Sequence, residues 1–177
     1  MQRIGIVICN YNKSEYAKNC VATILSQTYM ERDIYVVDNA SVDDSVKVLK
    51  ECYGDKITIL RNEENLGGAG GFDRGLEHCM ELGYQYILLV DNDTLFAEDA
   101  IEKMYSYLST HEDVGMCGAT ILQMDNREHI QEVGGMINYN RYEISPNYRN
   151  WKITDEIPEK VECDFLAACA VLVKREV

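Results

Sequence analysis

The sequence predicts an α/β fold with a central, mostly parallel sheet, and three observations carry that expectation. Short apolar runs alternate with stretches of helical periodicity, strand then helix, four times between residues 3 and 122. The runs RIGIVIC (3–9), DIYVVD (33–38) and YILLVD (86–91) are apolar at successive positions, as in strands buried on both faces. Each run also stops in polar or small residues: Cys9-Asn10-Tyr11, Asp38-Asn39, and Asp91-Asn92-Asp93. In a doubly wound sheet those carboxyl ends share one edge, and ligands bind there.

Taken in order, residues 3–9 form the first strand and Asn10-Tyr11-Asn12 the turn that closes it. Ser14 is the expected cap of a helix with Ala17, Val21, Ile24, Leu25 and Thr28 at helical spacing. Residues 33–38 are the second strand. Ser41 is the expected cap of the next helix, with Asp43 and Asp44 in its first turn. A third strand at 56–60 leads into NEENLGGAGG (62–71), read as a glycine-rich loop, and then a helix near 72–82 that Gly83 ends. The fourth strand follows, then a helix at 98–109 and a fifth strand at 114–122. Residues 123–157 are polar and tyrosine-rich, as in loops with short strands or hairpins, and 161–165 and 170–174 read as two further strand pieces.

The 177 residues, 46% hydrophobic and 27% charged, suffice for one domain with a substantial core. No apolar run approaches the ~20 residues of a membrane span, and no leader pattern opens the chain, so a soluble chain with no transmembrane segment is expected. A net charge of −13 repels phosphate backbones, which argues against a nucleic-acid partner. It also means that a phosphate-bearing ligand needs help from a cation. The seven cysteines form no CxxC pair and read as small core residues of a reducing compartment.

Asp91 and Asp93 can reach one crevice only where the strand's alternation breaks. There they can share a hard cation or a metal–polyphosphate complex, with Asp93, farther out, the stronger ligand. An acidic turn facing water has the same letters. Asp38 can accept a hydrogen bond from the N3–H of a uracil or thymine ring, or simply close a turn. Asn10 and Tyr11 can line a base or ribose pocket, although asparagine turns after strands are common. Gly67, Gly68, Gly70 and Gly71 allow close approach of backbone to ligand and lead to a helix N-terminus that favours anions.

Several sites are excluded by their residues. Asn10-Tyr11-Asn12 stands where a dinucleotide fold has G-x-G-x-x-G, and no G-x-x-x-x-G-K-[ST], H-E-x-x-H or G-x-S-x-G occurs. An EF-hand fails at Leu95 and Phe96. A haloacid dehalogenase-like phosphatase has D-x-D-x-[TV], but here Thr94 comes one residue early and the motif lies far into the sheet. A sugar-phosphate nucleotidyltransferase needs a basic glycine loop after the first strand, and this chain has none there.

In this order, IVICNYN (6–12), VVDNASVDDS (36–45), NLGGAGGFDRG (65–75), LLVDNDT (88–94) and DFLAACAVLVKREV (164–177) resemble the family 2 glycosyltransferases of the GT-A fold. The resemblance runs from Ile4 to the last residue. It implies a Rossmann-like, nucleotide-sugar-binding GT-A domain over 1–177, with 1–122 the nucleotide-sugar-binding half and 123–177 the start of an incomplete acceptor-side region. It implies that Asn10 and Asp38 hold base and ribose, with Cys9, Tyr11, Asn39, Asn65 and Asn92 lining the same nucleotide-sugar site. Gly67 and Gly68 would let the donor lie against the loop, and Arg74 would stand near its diphosphate. Asp91 would contact the ribose or a metal-bound water, and with Asp93 would hold Mn²⁺ or Mg²⁺.

The resemblance further implies inversion by in-line displacement, with an Asp or Glu base taking the acceptor's proton. Glu162, Asp164 and Glu176 are the late carboxylates, and none sits in the family's pattern, so the base is expected beyond Val177. Ala168 stands where the family often has Gly, and Asp73 where it commonly has Asn. The glycine stretch is most similar to rhamnosyl- and galactofuranosyl-transferring members. That similarity implies a UDP- or dTDP-sugar donor and a glycan or lipid-linked acceptor in cell-surface polysaccharide synthesis. A cytoplasmic location is expected, peripheral at the inner face of the membrane in a full-length protein. A nucleotide-sugar-binding fragment without turnover is the alternative, and the phosphatase a more distant one.

Overall fold

The structure is a computed structural model that describes residues 2–177. Its chain divides into two compact units, Met1–Cys117 with Ala168–Val177, and Gly118–Ala167. The first is the α/β unit. Strands β1 (Ile4–Asn10), β2 (Arg32–Asp38), β3 (Thr58–Arg61) and β4 (Tyr86–Asp91) alternate with helices α1 (Ser14–Leu25), α2 (Ser45–Tyr53) and α3 (Gly67–Glu81), and α4 (Ala100–Thr110) follows β4. With β5 (Met116–Gly118) and β10 (Ala170–Lys174), they build a sheet in the order β3-β2-β1-β4-β10-β5. β3, β2, β1 and β4 are parallel, and β10 runs antiparallel to β4.

The expected α/β class with a mostly parallel sheet is what forms. Ile4, Ile6, Val7, Ile8, Val36, Val37, Leu88 and Val90 are all fully buried, which explains why these strands read as continuous apolar runs. The strand order reverses beside β1. From β1 the chain steps outward to β2 and β3, then crosses back to β4 on the other side. Right-handed crossovers therefore put α3 on the face opposite α1 and α2.

Three local expectations are corrected. Ser14 is the first residue of α1 rather than its cap; Lys13 holds the N-cap position, and Asp43 accepts from the Ser14 N–H at 3.3 Å. Ser41 does not cap α2, which starts at Ser45 with Asp43 Oδ1 on the Ser45 N–H; the Ser41 hydroxyl is drawn instead to the turn after β1. The glycine run is not a loop before a helix but the first turns of α3. Glycine costs a helix about 1 kcal/mol per residue, so packing must compensate. A Cβ on Gly75 would lie 2.2 Å from Val7 Cγ1, and one on Gly71 would lie 2.3 Å from Cys9 Sγ, so only glycine lets α3 lie this low on β1.

The expected fifth strand splits. Residues 116–118 join the large sheet, while β6 (Ile121–Leu122) pairs with β7 (Ile130–Glu132) in the second unit. That unit also holds the hairpin of β8 (Gly135–Asn138) and β9 (Glu143–Pro146), and Ile130 in β7 is fully buried. The expected strand at 161–165 is absent: the segment makes one bridge, Gly135 with Phe165, and Asp164 accepts the Ile137 N–H at 2.8 Å. No described helix is long and apolar enough to cross a membrane.

Candidate functional site

Parallel register brings the strand ends level. Asn10 lies opposite Asp38, Asp38 opposite Arg61, and Cys9 opposite Asp91. Asn10 is the buried hub of this edge. Its Nδ2 donates to Asp38 Oδ1 (3.3 Å) and Ser41 Oγ (3.4 Å), and its Oδ1 accepts from Asn92 Nδ2 at 2.8 Å. The three strand-end motifs of the sequence therefore meet through one side chain.

Asp38 is fully buried. Its Oδ2 accepts the Ser41 N–H at 3.1 Å, and Arg61 Nε stands 3.8 Å from that same oxygen. Asn39 donates to the Gly67 carbonyl at 2.8 Å and to Cys9 Sγ, and accepts from Asn62 Nδ2 at 2.7 Å. Through Asn39 the end of β2 fixes the start of α3. Asn65 Oδ1 accepts the Gly67 N–H at 2.9 Å and completes that corner. Gly67 and Gly68 are exposed, and a Cβ on either would meet nothing within 4 Å. Unlike Gly71 and Gly75, they serve no packing need within the fold, and they leave the helix N-terminus open to an anion.

The acidic turn is braced from a distant part of the chain. The Cys169 carbonyl, immediately before β10, accepts both the Asp91 N–H (3.3 Å) and the Thr94 hydroxyl (3.0 Å), and Thr94 N–H closes on the Asp91 carbonyl at 3.1 Å. Asp91 is half-buried. Burial raises its proton affinity above the ordinary carboxylate value, and the neighbouring charge of Asp93 adds to this, while Lys13 opposes it. Lys13 Nζ lies 3.2 Å from Asp93 Oδ2. Two carboxylates whose repulsion a single exposed lysine only partly offsets, oxygen donors only, and one of them open to solvent form a donor set suited to a hard divalent ion. Among the described residues no third His, Cys, Asp or Glu joins them. Other oxygens must come from ligand and water. Burial, then Asp91 and Asp38, pushes the Cys9 thiol up to about 11, so it is no nucleophile at neutral pH.

The remaining expected residues are less engaged. Tyr11 is partly exposed at the turn, and Arg74 is exposed on α3, with no ion pair to Asp73 among the described residues. The sequence reading missed Ser41, Asn12, Arg61 and Asn62, which fasten the edge, and Lys13, which reaches across it. Their signal was position: Arg61 is the last residue of β3, and the others follow a strand end by one to three residues. Asn12 takes a left-handed conformation (φ 51°), as Asn does more readily than most residues. Its Oδ1 accepts the Val42 N–H at 2.8 Å, and its own N–H donates to Ser41 Oγ at 3.0 Å.

The family model "Glycosyl transferase family 2" matches residues 5–176. Among curated relatives, the amylovoran biosynthesis glycosyltransferase AmsE of Erwinia amylovora is 27% identical over 134 residues, 75% of this chain and 48% of that protein. Glycosyltransferase GlyG of Streptococcus pneumoniae serotype 4 is 31% identical over 104 residues, 58% of this chain and 34% of that protein. The chain thus spans half or less of the length of these relatives. The fold matches the mannosyltransferase PcManGT from Pyrobaculum calidifontis, solved with GDP-Man and Mn²⁺, at a TM-score of 0.68 and 17% identity over 98% of this chain and 45% of that one. It also matches S. aureus TarS 1–349, solved with UDP-GlcNAc, at a TM-score of 0.58 and 18% identity over 75% of this chain and 40% of that one. The family match displaces the phosphatase reading of the acidic turn.

Proposed function

The chain belongs to glycosyltransferase family 2, and on that premise we propose that it binds a nucleoside-diphosphate sugar at the carboxyl edge of its sheet and transfers the sugar, with inversion, to a glycan or lipid-linked acceptor. One observation carries this reading: Asn10 ties the ends of β1, β2 and β4 into a single edge that ends in Asp91 and Asp93. With the Gly67 N–H already held by Asn65, the N-terminus of α3 offers its N–H groups from Gly68 onward to the diphosphate. Asp93, with Asp91, would hold Mn²⁺ or Mg²⁺, which when bound neutralises charge on the departing nucleoside diphosphate.

Asp38 reads the base. A carboxylate has about four acceptor positions, and Asn10 and Ser41 occupy two here, leaving capacity for the N3–H of uracil or thymine once Arg61 turns aside. This favours a UDP- or dTDP-sugar. The solved relatives carry GDP-Man and UDP-GlcNAc, which supports the donor class without choosing the base.

Calorimetry with UDP, dTDP and GDP, with and without Mn²⁺, tests the proposal. UDP or dTDP should bind in a metal-dependent way, with Asp93→Ala weakening it about a hundredfold, roughly 2.7 kcal/mol. Nucleotide binding indifferent to both Mn²⁺ and Asp93 would sink it.

A further inference from the structure

Resting on that reading of the edge, we propose that Lys13 holds the divalent ion's place at Asp93 while the donor site is empty, and is displaced onto the donor's diphosphate when ion and nucleotide arrive together. The placement begins with the backbone. Asn12 turns the chain left-handed directly after β1, pinned by Ser41 and Val42, and this directs the next residue across the strand ends instead of along them. Lys13 therefore meets Asp93, 80 positions away in sequence, at 3.2 Å.

Among the described residues, this is the ion pair that reaches the Asp91–Asp93 turn. Lys13 and Asp93 keep side-chain exposures of 48% and 45%, so the pair is loose enough to open. The ammonium rests 5.4 Å over the Tyr16 ring while it is paired with Asp93, and the start of α3, which follows β3, belongs to the same edge of the sheet. In a chain with net charge −13, an unshielded carboxylate pair would attract any divalent cation. A resident ammonium competes with that capture. It makes metal affinity low until a diphosphate supplies further oxygens and takes over the lysine, so metal and nucleotide bind cooperatively.

Electron paramagnetic resonance of free Mn²⁺ tests this without any turnover. Lys13→Met should bind Mn²⁺ alone about five times more tightly than the wild type, the scale of an exposed ion pair, while its UDP affinity in saturating Mn²⁺ falls several-fold. Lys13→Arg, which keeps the charge, should leave Mn²⁺ affinity near wild type. A Lys13→Met chain whose Mn²⁺ affinity is unchanged or weaker overturns the inference alone. Metal-dependent UDP binding that survives Asp93→Ala overturns the donor-site reading and this inference with it. Both substituted side chains are exposed, and thermal melting confirms that each variant is folded.

Discussion

The two ends of the same sheet treat an aspartate in opposite ways. At the amino end, Asp33 in β2 receives Arg3 through two bonds (2.5 and 2.8 Å) and also the Tyr84 hydroxyl, which is itself paired with Tyr35. The Arg3 hydrogen bond is the main reason that the Asp33 carboxyl titrates below its ordinary value. At the carboxyl end, burial and Asp93 push Asp91 the other way, and one exposed lysine answers two carboxylates. One end is closed on itself. The other leaves the carboxylates of Asp91 and Asp93 and the start of α3 on one edge of the sheet, the arrangement on which the proposed donor site rests. Charge at strand ends is thus a stability device or a binding device according to whether its partners are already in the fold.

That contrast can be tested by measuring melting temperature and UDP affinity on the same variants. Asp93→Ala gives the largest effect: the hundredfold loss of metal-dependent UDP binding should come with an unchanged melting temperature. Asn10→Ala blurs the contrast, since it strands the buried Asn92 amide and Asp38 carboxylate. It should cost about 2 kcal/mol of stability, a melting drop of about 4–8 °C, and weaken UDP as well. Asp33→Ala should cost about 1 kcal/mol, discounted because Arg3 is mostly exposed, and leave UDP affinity untouched.

The smallest effect is in pH. The folded-state value for Asp33 lies below 3.8, so its contribution to stability is full above that pH and fades as pH falls through the lower folded value. Urea midpoints measured between pH 5 and 2 should fall less steeply in Asp33→Asn than in the wild type. An equal slope would show that the amino-end cluster is not what acid dissolves.

Much of this was legible in the residues. Apolar runs ending in Asn10, Asp38 and Asp91 announced both the strands and the edge they share, because buried parallel strands need continuous hydrophobicity and a site needs polar ends. What escaped was non-local. Nothing near Asp93 names Lys13, and nothing near Gly67 says that a glycine-rich segment becomes helix. The helix depends on contact with Cys9 and Val7, which overrides the residues' own propensity. Ser41 and Ser14 were plausible caps by spacing, but the Asn12 turn and Asp43 took their parts. The segment at 170–174 read as a strand, yet its pairing with β4 could come only from the fold.

The Cys169 carbonyl that grips Asp91 and Thr94 has a temporal consequence as well. During synthesis the two carboxylates leave the ribosome some 75 residues before the group that fixes their turn. β1 to β4 can pair early, but the acidic corner stays unlatched until the second unit has been made and β10 docks along β4. A nascent chain caught between those moments would have its sheet and its aspartates without the latch. The metal and nucleotide binding proposed for this corner should mature last, as a late-folding property of an early-folding core.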